Sequence, residues 1–250
     1  MDSEIFGLKD KLCLVTGASS GLGRETCRLL DSLGARVVAI ARREDRLKSL
    51  QAECKNLTYM IYDFSRQDGI KDLISSIVKQ EGRVQGFAYF AGVSSVSPLR
   101  AVDMIEAKRV FDINFFSALE CIKCLYDKRR QDSISIVLIG SASLMSSVPA
   151  MSIYDSSKGA LNSLVVSLVR DLAKYGGRIN SILPAHVDTE MTQKAEALRS
   201  EQYSQSIDGM YPLGRAQTTD VANLCAFLLS PLSRWITGQS IGLDGGRSVF

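Results

Sequence analysis

The sequence is poor in histidine, the commonest metal ligand. It has one histidine, His186, and its six cysteines include a single C-x-x-C pair, Cys121 and Cys124. A structural zinc site takes four such ligands, so no metal centre is expected. The pair falls late in a helical pattern instead of at a helix start, which indicates packing thiols and not redox chemistry.

Long apolar runs and clusters of basic residues are also missing. No run approaches the ~18 apolar residues of a spanning helix. Residues 1–11 carry acids where a signal peptide would need a basic and then an apolar stretch. The net charge is +3 and the basic residues are dispersed, which favours neither nucleic acid nor a membrane surface as a partner. We therefore expect a cytoplasmic protein with reduced cysteines.

What the sequence does have is a regular alternation of short apolar runs and helical patterns. The run at residues 35–41 is apolar almost throughout, which is typical of a strand buried on both faces of a parallel sheet. We predict an α/β fold, with one doubly wound (Rossmann) sheet of about seven parallel strands, helices on both faces and a single domain over residues 1–250. Ligands of such sheets bind at the carboxyl ends of the strands. Five residues fall at predicted strand ends: Gly17, Asp63, Gly92, Ser141 and Pro184.

A glycine turn follows the first apolar run. Residues 16–23 read T-G-A-S-S-G-L-G, and this spacing differs from the G-x-G-x-x-G of the usual dinucleotide fingerprint. Glycines let the backbone approach a pyrophosphate, and a helix beginning near Gly21 would point free N–H groups at that anion. Taken alone, a structural tight turn explains these residues about as well.

A second group of polar residues lies in the middle of the chain. Tyr154 and Lys158 are four apart in a helical pattern, so they share one face and the ammonium can lower the pKa of the phenol. A pKa near ~7 would suit an acid/base at neutral pH, against ~10 for free tyrosine. Ser141 follows a predicted strand, and Asn114 lies within a long helix predicted over residues 101–126.

Together these features resemble the short-chain dehydrogenase/reductase family, in the branch of single-domain chains of this length that includes 3-oxoacyl carrier-protein reductases. The resemblance covers nearly the whole chain, from the strand at Lys11 to the D-G-G of residues 244–246. It implies a catalytic tetrad of Asn114, Ser141, Tyr154 and Lys158. The residues that it implies for cofactor binding are Gly17, Ser19, Ser20, Gly21, Leu22, Gly23, Arg42, Arg43, Asp63, Phe64, Ala91, Gly92, Tyr154, Lys158, Pro184, Val187 and Thr189.

The resemblance also implies a role for each catalytic residue. Tyr154 would be the acid/base, and Lys158 would lower its pKa and hold the nicotinamide ribose. Ser141 would hydrogen-bond the substrate oxygen, and Asn114 would position a water. Asp63 would meet the adenine ring, and Thr189 would bind the nicotinamide carboxamide.

Two places depart from the family's pattern. Tyr89 and Phe90 replace the two asparagines of its N-N-A-G, which removes polar side chains near the central strand. Ala185 and His186 follow Pro184 where the family usually has glycine, so the substrate wall is expected to differ. His186 is a candidate substrate contact, and a structural hydrogen bond is its other interpretation.

The end of the second predicted strand bears on the choice of cofactor. It has Ala41 in place of the acid that would bind the ribose hydroxyls of NAD. Arg42 and Arg43 follow, and an arginine can bind a ribose phosphate through charge-assisted hydrogen bonds. NADP(H) is therefore the preferred cofactor, and NAD(H) is the other candidate. Against this, arginines that open a helix are often merely solvated, and Ser20 stands where some NADP-using relatives have a second basic residue.

The resulting hypothesis is NADP-dependent hydride transfer to or from a small carbonyl or alcohol substrate. The alternative is a catalytically idle NADP-binding sensor or scaffold, although such proteins usually lack the tyrosine or lysine. A sugar-nucleotide epimerase is disfavoured because no separate C-terminal substrate domain is predicted. The predicted substrate wall has no charge cluster that demands a phosphate or carboxylate; it comprises residues 94–97, 145–150, His186 and 190–212.

Two further expectations concern mobility and assembly. The polar segment 190–212 is predicted to be a mobile lid over the substrate, because it directly follows Thr189. The helices predicted over 101–126 and 152–174 are too apolar for one sheet face to cover, which predicts a homodimer or homotetramer.

Overall fold

Seven strands form one parallel sheet in the computed structural model, which describes residues 5–126, 133–146, 148–196 and 208–249. The strands are β1 (Leu12–Thr16), β2 (Arg36–Ala41), β3 (Leu57–Ile61), β4 (Val84–Tyr89), β5 (Ser135–Ile139), β6 (Arg178–Pro184) and β7 (Ser240–Leu243). They lie in the order β3-β2-β1-β4-β5-β6-β7, and every neighbouring pair is parallel. The predicted α/β class and doubly wound sheet are confirmed.

Helices cover both faces of the sheet. In the described part of the chain they are α1 (Gly21–Ser32), α2 (Glu44–Glu53), α3 (Ile70–Glu81), α4 (Met104–Phe111), α5 (Ser117–Leu125), α6 (Ser152–Ser167), α7 (Val169–Ala173), α8 (Glu190–Glu196) and α9 (Thr218–Leu229). Helices α1, α2 and α9 pack on one face, and α3, α5 and α6 on the other. None of these described helices is long and apolar enough to cross a membrane.

The central strands are apolar throughout because their side chains alternate between two cores. Leu12 and Leu14 of β1 lie in the core formed with α3, α5 and α6, whereas Cys13 and Val15 lie in the core formed with α1, α2 and α9. All four side chains are at most 1% exposed. A strand that buries both faces cannot alternate between apolar and polar residues, which is why the sequence pattern revealed a parallel sheet.

The helix predicted over residues 101–126 is interrupted by a π-helical turn at residues 112–116. Tyr89 supports this turn, because its buried hydroxyl donates a hydrogen bond of 2.6 Å to the carbonyl of Ile113. The tyrosine that departs from the family's pattern therefore holds the backbone next to Asn114. Such π-helical turns occur often at functional sites.

The helix predicted over residues 152–174 also divides, since α6 ends at Ser167 and the short α7 follows. The hydroxyl of Ser167 donates to the carbonyl of Ser163 at 2.9 Å, a local bond that tends to bend helices. Leu161 and Val165 of α6 are fully buried against the sheet.

The strand order reverses between β1 and β4. The chain runs outward from β1 to β3 and then returns to build β4 on the other side of β1. The loops that leave the carboxyl ends of β1 and β4 therefore diverge and open a cleft. Residues 90–93, after β4, and the glycine turn, after β1, face each other across it.

Candidate active site

The glycine turn packs backbone against backbone at the floor of this cleft. Gly17 has a φ of +65°, and a Cβ there would lie 2.7 Å from the carbonyl carbon of Phe90. A Cβ on Gly23 would lie 2.7 Å from the carbonyl oxygen of Gly17. Only glycine fits at either position, and such bare backbone is what lets a pyrophosphate approach the start of a helix.

The N-terminus of α1 opens toward the cleft without a side-chain cap. Ser20 occupies the N-cap position, but its hydroxyl does not cap the helix. That hydroxyl accepts a hydrogen bond of 2.6 Å from Nη2 of Arg43 instead. The first N–H groups of α1 can therefore bind an anion, which the helix dipole favours.

The cleft has a cavity volume of about 210 Å³ and gathers most of the predicted cofactor residues. Those that line it are Gly17, Ser19, Ser20, Gly21, Leu22, Gly23, Arg42, Arg43, Asp63, Phe64, Ala91, Gly92 and Thr189. The other four predicted cofactor residues, Tyr154, Lys158, Pro184 and Val187, do not line it. Val187 pairs with Ala216 in an isolated parallel bridge. Residues that line the cleft without having been predicted include Tyr62, Phe90, Val93, Ile113, Glu190 and Met191.

The two arginines after β2 enter the cleft differently. The side chain of Arg42 is 61% exposed and lies 3.8 Å from the carboxylate of Asp63. Arg43 crosses to the glycine turn, where its guanidinium donates to the hydroxyls of Ser19 and Ser20 at 2.6–3.1 Å. Arg43 thus makes side-chain hydrogen bonds at this end of the cleft, whereas the one ion pair of Arg42 is longer.

Asn114 braces the loop after β4 against α6. Its Oδ1 accepts a hydrogen bond of 2.8 Å from the N–H of Val93, and its Nδ2 donates to the carbonyl of Val93 at 3.0 Å. Nδ2 also donates to the hydroxyl of Ser157 at 2.9 Å. The side chain is fully buried, so these bonds fix its position.

Lys158 is buried beside Asn114. Its Nζ donates a hydrogen bond of 2.8 Å to the carbonyl of Ile139 at the end of β5. Burial lowers the pKa of this lysine to about 8, because low-dielectric surroundings disfavour the ammonium. A Cβ on Gly92 would lie 3.5 Å from Nζ, so the ammonium stands directly behind the cleft wall.

Three polar side chains form a hydrogen-bonded chain beside Tyr154. Oγ of Ser143 donates to Oδ1 of Asp155 at 2.5 Å and lies 2.6 Å from Oγ of Ser141. A hydroxyl has one proton and an ionised carboxylate only accepts, so Ser141 is the donor to Ser143. Ser143 and Asp155 have no part in the family pattern and were not predicted as site residues.

The pKa of Tyr154 is raised to about 12, mainly by burial. The hydrogen bond with Ser141 lowers it, and the carboxylate of Asp155 raises it further. The predicted downward shift by Lys158 is therefore wrong for this arrangement. The ammonium lies 5.8 Å from the centroid of the tyrosine ring and donates to the carbonyl of Ile139.

Two parts of the predicted substrate wall, residues 94–97 and Ala150, come together near α6. The N–H of Ser97 donates to the carbonyl of Ala150 at 2.8 Å, which joins the loop after β4 to the loop after β5. Residues 94–97 also line a hollow that Ile153 of α6 borders. Of this predicted wall, residues 147 and 197–207 lie outside the described residues.

The remaining candidates are His186 and the two cysteines of the C-x-x-C pair. Within the described residues, no group of three or more His, Cys, Asp and Glu side chains could hold a metal ion. His186 is half-buried just beyond β6. Cys121 and Cys124 are buried thiols of α5, and burial raises the pKa of Cys121 far above its ordinary range, which makes it unreactive.

Comparison with known sequences agrees with this geometry. A family model described as enoyl-(acyl carrier protein) reductase matches residues 17–248. A tropinone reductase homologue of Arabidopsis thaliana is 30% identical over 255 residues, which cover 98% of this chain and 78% of the relative. The 3-oxoacyl-[acyl-carrier-protein] reductase of Thermotoga maritima is 29% identical over 250 residues, which cover 97% and 99% of the two chains.

Solved structures share the whole fold. A ligand-free aldohexose dehydrogenase from Thermoplasma acidophilum is 28% identical with a TM-score of 0.86, over 98% of this chain and 96% of the other. An actinorhodin polyketide ketoreductase with NADPH is 25% identical with a TM-score of 0.89, over 96% and 98% of the chains. These matches and the site define a nicotinamide-dependent oxidoreductase that acts on alcohol or carbonyl groups. The chain belongs to the short-chain dehydrogenase/reductase family.

The buried ammonium of Lys158 predicts an unusual dependence of stability on pH. The folded chain releases this proton near pH 8, whereas the unfolded chain holds it to ~10.4. Between these values the unfolded state binds more protons, so stability rises with pH. We expect the wild type to gain about 3 kcal/mol of unfolding free energy relative to Lys158→Met across this window, measured by urea denaturation.

The matched control is Lys79→Met, at an exposed lysine of α3. Its unfolding free energy should follow the wild type through the same pH range. A constant difference between wild type and Lys158→Met would show that the ammonium is not held in low-dielectric surroundings.

Proposed function

We propose that this protein transfers hydride between NADP(H) and a small carbonyl or alcohol substrate, with Tyr154 as the acid/base. The observation that carries the proposal is one juxtaposition at the cleft wall. The ammonium of Lys158 and the amide of Asn114 both stand behind Gly92, and Tyr154 lies one helical turn before the lysine. When bound, the nicotinamide would supply or accept the hydride, and the chain's own residues would handle the proton.

Tyr154 is the proposed proton carrier. A pKa of about 12 keeps the phenol protonated at neutral pH, so it can donate to a carbonyl oxygen as hydride reaches the carbon. Alcohol oxidation needs the phenolate, so reduction is the easier direction at neutral pH. Ser141, whose interaction with the phenol lowers the pKa of Tyr154, is proposed to bind the same substrate oxygen.

Lys158 and Asn114 are proposed to support this step. The ammonium is close enough to the cleft wall to hold the nicotinamide ribose, and with a pKa of about 8 it is mostly charged at neutral pH. Asn114 would position a water that links Lys158 to solvent, in addition to bracing Val93.

The alternative of a catalytically idle sensor or scaffold gains no support from the relatives, which are named reductases and dehydrogenases. The names of two of them, a tropinone reductase homologue and a 3-oxoacyl carrier-protein reductase, favour a ketone as the substrate. A panel of ketones, 3-oxoacyl thioesters, sugars and steroids, followed by NADPH consumption, would identify the class.

Replacement of Tyr154 by phenylalanine tests the acid/base assignment. Tyr154→Phe deletes only the proton carrier, so turnover should be abolished while NADPH binding, measured by fluorescence titration, stays nearly intact. Lys158→Ala should impair both turnover and NADPH binding. The assignment is wrong if Tyr154→Phe keeps more than about a tenth of the wild-type rate, a loss under ~1.4 kcal/mol of transition-state stabilisation.

The preference for NADP is proposed from the two arginines that line the cleft after β2. Arg42→Ala should lose NADPH affinity with little change for NADH, because a guanidinium can pair with the ribose phosphate that only NADP carries. The measurement is a titration of each reduced cofactor. Equal losses with both cofactors would show that Arg42 does not bind the phosphate.

Association into a homodimer or homotetramer is proposed from the outer face of the α4–α6 region. Large apolar side chains are exposed there, namely Met104, Ile105, Phe116 and Val166. Such a patch is typical of an interface. Light scattering at micromolar concentration should give two or four times the monomer mass, and a monomer mass would contradict the proposal.

The segment 190–212 is proposed to close over the substrate. Its first part is α8, which follows Thr189 at the cleft wall, and its residues 197–207 lie outside the described residues. Hydrogen exchange with and without cofactor and substrate tests this closure, and equal protection would contradict it. A cytoplasmic location also stays a prediction.

A further inference from the structure

Glu190, the first residue of α8, binds two arginines: Arg43, which lines the cleft, and Arg46 of α2. Its Oε2 lies 2.9 Å from Nη1 of Arg43, and its Oε1 accepts a short hydrogen bond from Nη1 of Arg46. The carboxylate is half-exposed and lines the cleft. Arg43 and Glu190 are far apart in sequence, so only the fold brings them together.

Arg43 is held from two sides by these contacts. Its Nε and Nη2 donate to the hydroxyls of Ser19 and Ser20, whereas Nη1 pairs with Glu190. The guanidinium therefore spans the cleft from the end of β2 to the start of α8. Arg43 is thus a cation at the end of β2 that contacts the glycine turn, where the family's pattern puts the ribose phosphate.

A ribose phosphate and the Glu190 carboxylate need the same donors. Both are anions that pair with a guanidinium through charge-assisted hydrogen bonds, and two anions on one guanidinium repel each other. The arginines hold the pKa of Glu190 below its ordinary value, with Arg43 as the larger cause, so the carboxylate is charged at neutral pH. Glu190 thus occupies the position of an anionic ligand on Arg43.

We propose that Glu190 competes with the 2′-phosphate of NADP for Arg43 and so sets the cofactor preference. Phosphate binding would open the Glu190–Arg43 pair and release the first turn of α8. The inference rests on the proposed use of NADP. It makes Glu190 a specificity-determining residue that weakens the preference for NADP and links the phosphate to α8.

Glu190→Gln tests this competition, because it keeps the shape of the side chain and removes its charge. We expect NADPH affinity to rise about tenfold, which corresponds to ~1.4 kcal/mol, while NADH affinity stays within about twofold. Both are measured by fluorescence titration at fixed salt. The matched control is Glu44→Gln, since Glu44 opens α2 and pairs with Lys48 outside the cleft, and this variant should bind both cofactors like the wild type.

A double variant isolates the role of Arg43. If Glu190 acts on the phosphate through Arg43, then Glu190→Gln should have no effect on NADPH affinity in an Arg43→Ala background. A full gain in that background would overturn the proposal. Equal gains in NADPH and NADH affinity for Glu190→Gln alone would also overturn the proposal. So would an unchanged affinity for both cofactors, which would mean that the Glu190–Arg43 pair is a surface salt bridge without function.

Hydrogen exchange tests the link to α8. In the wild type, amides of residues 190–193 should exchange faster with NADPH bound than with NADH bound, and Glu190→Gln should remove this difference. Equal exchange in the wild type would overturn the link. These experiments measure cofactor binding and not turnover. If Glu190→Gln leaves the ratio of NADPH affinity to NADH affinity unchanged, only this inference is refuted. The proposed function would be refuted if the wild-type protein transferred hydride to or from none of the substrates in the panel.

Discussion

A buried ammonium, that of Lys158, constrains the catalytic face of this protein. Removing such a charge from water is costly unless polar atoms replace the water. The carbonyl of Ile139 does so at 2.8 Å, and the amide of Asn114 stands beside it behind Gly92. The end of β5, the π-helical turn and α6 must therefore keep their relative positions. The lowered pKa of the lysine shows that this arrangement costs stability, as expected of a site built for function.

The sequence predicts the sheet well because a strand that is buried on both faces needs a continuous run of apolar residues, and such a run is visible in the sequence. The run at residues 35–41 is apolar for the same reason that successive side chains of β1 lie in two different cores: both faces of these strands are buried. The interruptions of the two long predicted helices are not visible in the sequence in this way. The π-helical turn depends on the hydroxyl of Tyr89, which belongs to β4 and reaches Ile113 only in the folded chain. The periodicity of apolar residues along a helix does not reveal a hydrogen bond that comes from a strand, so the sequence predicts one continuous helix.

In the site, too, the features that depend on residues close in sequence could be predicted, and those that depend on residues distant in sequence could not. The glycine turn and the Tyr154–Lys158 spacing lie within one turn or one helix, and most of the predicted cofactor residues do line one cleft. The pKa of Tyr154 could not be predicted, because burial and the neighbouring Asp155 outweigh what helical spacing suggests. Glu190 meets Arg43 across the cleft, and no spacing in the sequence relates the two.

The direction of the hydroxyl chain limits what Ser141 can do. Asp155 only accepts, so Ser143 donates to Asp155 and Ser141 donates to Ser143. The oxygen of Ser141 in turn accepts from the N–H of Ser143 at 3.2 Å. To donate to a substrate oxygen, Ser141 must turn its proton away from Ser143 and lose that bond. Tyr154 has no part in this chain of donors to Asp155, so the phenol, and not the serine, is the proton donor that the arrangement favours.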